Sequence, residues 1–177
     1  MYLQIRCFFS KKSSQIYQIG DQNRFDSSVI SDAVNTAARM EGLTKIFGGS
    51  VIVTEETLRE LQPDDSDEAV PSFPNLMYRF LGKIKVKGKN KVLKIYDFFE
   101  GEAEETQRQK AETKMNFEKA IHLYFDRKFG MAADILKVII KKHPDDPAAR
   151  YYFERAVKYA IDGVSKDWNG VEEMVSK

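Results

Sequence analysis

The chain has 177 residues with 28 Lys and Arg against 27 Asp and Glu, a formal net charge of +1 that provides no strong field to attract DNA or RNA. An apolar share of 42% with 31% charged residues is an ordinary soluble composition, and the length allows one domain or two small ones. The single cysteine excludes an internal disulfide framework, and no apolar run approaches the roughly eighteen residues of a membrane span, so the expectation is a cytoplasmic protein without nucleic-acid or membrane partners.

Met1 to Phe9 is too short and wrongly ordered for a secretory signal, and Cys7 within it reads as an incidental apolar residue. Asp26 to Glu41 is a short strand pattern running into a helix, on which Asn35 and Arg39 lie one turn apart and share a face. A guanidinium offers a rigid fork of donors to phosphate oxygens, and an amide adds a neutral donor for a ribose or phosphate oxygen. The pair therefore suits polyphosphate chemistry, although two such residues on an exposed helix are also what plain solvation leaves.

Ser50 to Val53 reads as a short apolar strand, and Thr54 as the cap of a helix with Glu55 and Glu56 in its first turn, at the positive end of its dipole. Gln62 to Pro74, with Asp64, Asp65, Asp67 and Glu68 among prolines, is expected as a solvated loop; its acids lack the glycine and spacing of a calcium loop. From Tyr78, Lys83, Lys85 and Lys87 alternate with Ile84 and Val86, the period of a half-buried strand with lysines on one face. Gly88 to Lys91 supplies a turn and Val92 to Phe99 a returning strand, which together predict a hairpin. Its lysines read either as ligand contacts or as protection of an exposed edge.

After Gly101 the composition shifts. Glu102 to Lys114 is charged and helix-favouring, a predicted linker helix. From Asn116 onward, Ala120, Leu123, Phe129, Ala132, Leu136, Ile139 and Pro144 fall at offsets that resemble a tetratricopeptide repeat, with a following helix over Pro147 to Ile161. Fewer than three repeats do not form an independent solenoid, so this region is expected to pack on the preceding part or on a partner. Tyr151, Tyr152 and Phe153 read as core rather than a ligand box, and Trp168 as a cap on the helical core.

The run from Asp26 to Glu41 resembles the motif of the class III nucleotidyl cyclases, the adenylate and guanylate cyclases. Asp26, Ser28, Asp32, Val34, Asn35, Ala37, Ala38, Arg39 and Glu41 fall in register with it. A second resemblance lies at Val86-Lys87-Gly88-Lys89 within the predicted hairpin. The resemblance implies that Asn35 and Arg39 hold substrate and stabilise phosphate charge during ring closure, that Lys87 contacts the triphosphate, and that Ser28 stands where the family selects its base. Ser31 replaces the family's usual glycine. Ile16 to Phe25 resembles the strand and turn that lead into the motif, so the likeness covers about residues 16 to 100.

The family's two metal-binding aspartates cannot be assigned, and Met1 to Ser14 does not match. The implied architecture is α+β: an unmatched segment 1–15, a partial ferredoxin-like cyclase domain 16–101, a helical linker 102–115 and a tetratricopeptide-like region 116–177. The implied activity is that of a lyase making cAMP or cGMP from ATP or GTP in intracellular signalling, with Mg²⁺ or Mn²⁺ held by ligands outside this chain. Family sites form between two chains, so a homodimer or a heterodimer with another cyclase chain is expected, and the isolated chain is expected to be catalytically incomplete. The competing reading is a non-catalytic interaction module or truncated remnant that binds protein partners through its helices.

Overall fold

A computed structural model describes residues 15–21, 24–30, 42–61, 76–86 and 92–174. Strands β1 (Gln15–Asp21) and β2 (Arg24–Ile30) pair antiparallel as a two-stranded sheet, with Gln15 opposite Ile30 and Asp21 opposite Arg24. Helix α1 is described over residues 42–47. A second sheet contains β3 (Val51–Thr54), β4 (Tyr78–Val86), β5 (Val92–Phe98) and β6 (Glu172–Met174) in the order β3-β5-β4-β6. β5 is antiparallel to both neighbours, whereas β6 lies parallel to β4. Helix α2 (Glu55–Leu61) begins where β3 ends, and the Thr54 hydroxyl accepts a hydrogen bond from the Thr57 N–H at 3.3 Å, as its capping role requires.

The lysine strand departs from strict alternation. Phe80 lies opposite Tyr96, Gly82 opposite Ile95 and Lys83 opposite Lys94, so one extra residue is inserted between Phe80 and Gly82. Because side chains alternate with period two, this bulge moves Lys83 onto the face that already carries Tyr78 and Phe80. Gly82 makes the bend possible: its φ is +136°, and a Cβ there would run into the Tyr152 hydroxyl and lie 3.4 Å from the Phe125 ring. Gly82→Ala is expected to cost about 3 kcal/mol, from backbone strain and overpacking together. Urea unfolding followed by far-UV circular dichroism measures it, and an unchanged midpoint would mean that the bulge relaxes at no cost.

Three helices follow: α3 (Glu104–Phe125), α4 (Phe129–Lys142) and α5 (Pro147–Asp162). The stretch expected as a linker, Glu102 to Lys114, enters one continuous helix of 22 residues, because no Gly or Pro interrupts the chain through Phe125. Arg127, at φ +61°, ends α3, and the Lys128 N–H returns to the Leu123 carbonyl at 2.9 Å. Gly130 lies inside the first turn of α4. Asp146 caps α5, its carboxylate accepting from the Ala149 N–H at 3.1 Å with Pro147 next in the chain.

The helices bury their apolar faces against the sheet. Phe117, Ile121 and Tyr124 of α3, Leu136 and Ile139 of α4, and Tyr152 of α5 join Leu81, Ile84 and Ile95 of the strands and Phe47 of α1 in one core. Alanines at 120, 132, 148, 149 and 156 are fully buried, which lets the helix axes approach closely. Tyr152 is core, as expected, and stacks on Phe47 at 6.0 Å. Trp168 caps the helical core, with Tyr124, Phe129 and Tyr159 edge-on to it at 5.1–5.7 Å.

At the centre of the sheet-to-helix junction lies a buried ion cluster. Arg79 of β4 and Asp97 of β5 are both 0% exposed. The Arg79 guanidinium donates to Asp97 at 3.2 Å and forks onto both oxygens of Asp146 at 2.6 and 3.1 Å, while its plane rests 4.4 Å from the Phe117 ring centre. Lys110 of α3 donates to Asp97 at 2.9 Å and to Glu102 at 2.8 Å. Burial by itself favours the neutral forms, but Asp146 and Asp97 outweigh it and hold the Arg79 pKa above its ordinary value. Burial likewise opposes the Asp146 carboxylate, yet Arg79, the Ala149 N–H and Lys110 together keep its pKa below the usual carboxylate range.

The chain is thus mixed α and β, and its helices are fastened to the sheet rather than tethered to it. Among the described residues no helix is long and apolar enough to cross a membrane.

Candidate functional site

Asn35 and Arg39 lie outside the described residues, as does Lys87. Ser28 is in β2, opposite Tyr17. The strand that leads to Lys87 is described up to the residue before it, Val86, and Lys85 is paired with Val92. The strand and helix read from Ser50 and the two strands read from Tyr78 and Val92 are found in that order, with β3 and β5 side by side, whereas the loop expected over Gln62 to Pro74 and the turn over Gly88 to Lys91 lie outside the described residues.

The face of β4 and β5 that carries Lys83 also carries a row of aromatic rings. Tyr78 stacks on Phe98 at 5.2 Å, Phe80 meets Tyr96 at 5.4 Å, and His122 of α3 stacks on Phe80 at 5.7 Å. Tyr78, Phe80, Tyr96 and His122 line an open groove of about 470 Å³ together with Lys83, Lys94 and Lys114. Its cations are not equivalent. Lys94 pairs with Glu55 at 2.9 Å, Lys114 donates to the Tyr78 carbonyl at 2.6 Å, and the Lys83 ammonium sits 5.1 Å above the Phe125 ring centre. Burial, reinforced by the Glu55 carboxylate, pushes the Tyr96 phenol up to about 12, so it stays a neutral donor at physiological pH.

The edge of β4 is protected in two halves. Over its first half, Lys114 donates to the Tyr78 carbonyl and Glu118 accepts from the Phe80 N–H at 2.8 Å, so two side chains one helical turn apart stand in for a neighbouring strand. Over its second half, β6 supplies the pairing, with Ile84 opposite Glu172 and Val86 opposite Met174. Sequence reasoning missed both devices. The available signal was weak: an i, i+4 Lys–Glu pair facing a strand looks like any solvated helix pair, and three residues near a terminus carry no strand pattern of their own.

The chain is 40% identical over 80 residues to a protein named adenylate cyclase from Anabaena cylindrica. It is 24% identical over 140 residues to a terminal-differentiation specific adenylate cyclase from Dictyostelium discoideum. These matches cover 45% and 79% of this chain but only 14% and 6% of the two relatives, so the chain spans a small part of their length. No family profile matches the chain. The longer match exceeds the 101 residues that precede the helical region, so it includes part of that region as well. Similarity to proteins named adenylate cyclase accords with the family resemblance of the Asp26–Glu41 and Val86–Lys89 motifs.

The family resemblance implies Mg²⁺ or Mn²⁺. Among the described residues no three His, Cys, Asp or Glu side chains are grouped so that they could hold one. The buried carboxylates Asp97 and Asp146 are committed to Arg79, and Asp97 and Glu102 to Lys110. The described residues therefore do not fit a metal.

Proposed function

We propose that this chain carries the substrate-holding half of a class III nucleotidyl cyclase domain, with a ferredoxin-like sheet and a tetratricopeptide-like helical extension, acting in the cytoplasm. The observation that carries the proposal is the 40% identity over 80 residues to a protein named adenylate cyclase, on a chain that bears the Asn35/Arg39 motif and the Lys87 hairpin. Both relatives' names favour ATP over GTP. The reaction is attack of the ribose 3′ oxygen on the α-phosphorus, with pyrophosphate leaving. Lys87 grips the triphosphate in the ground state. Asn35 orients the sugar, and Arg39 donates to oxygens whose charge grows as the phosphorus becomes five-coordinate. Ser28 lies near the base. Carboxylates of another chain would hold the divalent metal, which would supply Lewis-acid assistance at the attacking oxygen.

A complementation assay tests this. Mixed with a full-length cyclase whose own Asn and Arg positions are disabled but whose metal aspartates are intact, the chain is expected to restore cAMP formation, whereas alone with ATP or GTP and Mn²⁺ it is expected to be nearly inactive. A demonstrated heterodimer without activity would remove the proposal. Robust turnover by the chain alone would require a metal site of its own.

A further inference from the structure

Where the chain leaves α5 it does not trail away. Residues 163–174 return across the helices to the sheet and finish as β6 on β4. Three contacts hold this path. Trp168 is wedged among Tyr124, Phe129 and Tyr159. The Arg127 guanidinium donates to the Lys166 and Trp168 carbonyls at 2.7 and 2.5 Å. Gly170, at φ +76°, is buried so tightly against the Phe125 ring that a Cβ would not fit. Phe125 is itself the ring beneath Lys83 and beside Gly82. One aromatic side chain thus touches the returning segment and the bulge of the lysine strand.

We propose that residues 163–174 are a strap that positions the β4–β5 hairpin, with Trp168 as its anchor, and so governs how well Lys87 is presented to substrate. The second half of this statement rests on the reading of Lys87 as the triphosphate lysine; the first does not. A three-residue parallel pairing is too short to persist by itself, and its ends stay together because Trp168 and Gly170 are already docked. Along β4 the helix side chains Lys114 and Glu118 hold Tyr78 and Phe80, which leaves Ile84 and Lys85 paired to β5 on one side and Ile84 to Val86 paired to the strap on the other. Without the strap, the segment immediately before Lys87 becomes an open edge and frays locally. Anything that draws Trp168 out of its aromatic cage then loosens the hairpin from a distance, through a physical chain of contacts.

Backbone amide hydrogen exchange decides the first half. In Trp168→Ala, amides of Ile84 to Val86 are expected to exchange about tenfold faster or more, while those of Ile52 and Val53 in β3 keep their protection. Arg127→Gly is the second variant: it removes both carbonyl contacts and suits the positive φ, so the fold is not at risk. It should give the same local pattern, with a red shift of fluorescence from Trp168, the chain's one tryptophan. Unchanged exchange at Ile84 to Val86, or a rise spread evenly over all strands, overturns the strap. In the complementation assay Arg127→Gly should raise the KM for ATP severalfold with little change in kcat, and add nothing to Lys87→Ala. If Lys87→Ala raises KM and Arg127→Gly does not, the positioning role is wrong. If Lys87→Ala itself leaves KM unchanged, it is the Lys87 reading that fails, and the strap is judged on exchange alone.

Discussion

Arg79→Met is expected to cost the fold about 3–5 kcal/mol, the penalty for removing one partner from a buried ion pair. The substitution keeps the packing of the side-chain stem over Phe117 but leaves the Asp146 carboxylate buried without its guanidinium, and leaves Asp97 with Lys110 alone. Urea denaturation at neutral pH reads the loss. Arg79→Met combined with Asp146→Asn should recover part of it, because Asn is as good a helix cap as Asp and carries no charge to strand. A loss well under about 1 kcal/mol would show that the cluster opens to water and behaves as a surface pair.

The same cluster fixes the sign of an acid dependence. Asp146 has a lower pKa in the folded chain than the roughly 3.9 of an unfolded Asp, so its contribution is fully present above about pH 4 and is lost as pH falls through the folded value. Wild-type stability should therefore drop below about pH 4, and the gap to Arg79→Met should narrow there, since in the variant Asp146 has no guanidinium pairing to lose. A gap that widened in acid would contradict the assignment of Asp146 as the ionised partner.

The largest kinetic effect is expected at Arg39. In a complemented enzyme, Arg39→Ala should lower turnover on the order of 10²-fold or more while weakening ATP binding far less, because a donor aimed at developing charge acts mainly in the transition state. Lys87→Ala should instead raise the apparent KM as well, since a lysine on the triphosphate is already engaged in the ground state. Lys85 and Lys89 are internal controls. Equal damage from Lys85→Ala would mean that the lysine face is a general electrostatic surface and that the strand register toward Lys87 is wrong. Should Arg39→Ala change neither rate nor affinity, the cyclase-site assignment falls.

Local chemistry was sufficient for local structure. Thr54 with its following acids marked the start of α2, the Lys–Ile–Lys–Val alternation marked β4, Val92 to Phe99 its return strand, and Pro144 and Pro147 the break between α4 and α5. The chemistry proposed for Asn35, Arg39 and Lys87 also came from sequence alone, because motif residues a few positions apart need no fold to be recognised. Other features were decided only when distant segments met. Arg79 reads as one more charge in a strand, and it becomes a fully buried tie only because Asp97, 18 residues on, and Asp146, 67 residues on, close over it. The bulge at Phe80/Gly82 has no alternation signature; it is fixed by Tyr152 and Phe125 arriving from the helices, which leave no room for a side chain at Gly82. β6 has too few residues for a pattern, and its pairing with Ile84 to Val86 exists because Trp168 is held elsewhere. Capping, turn and alternation signals act over a few residues and are written in order along the chain, whereas burial of a charge, a bulge or an edge depends on what packs against it, and only the tertiary structure supplies that neighbour.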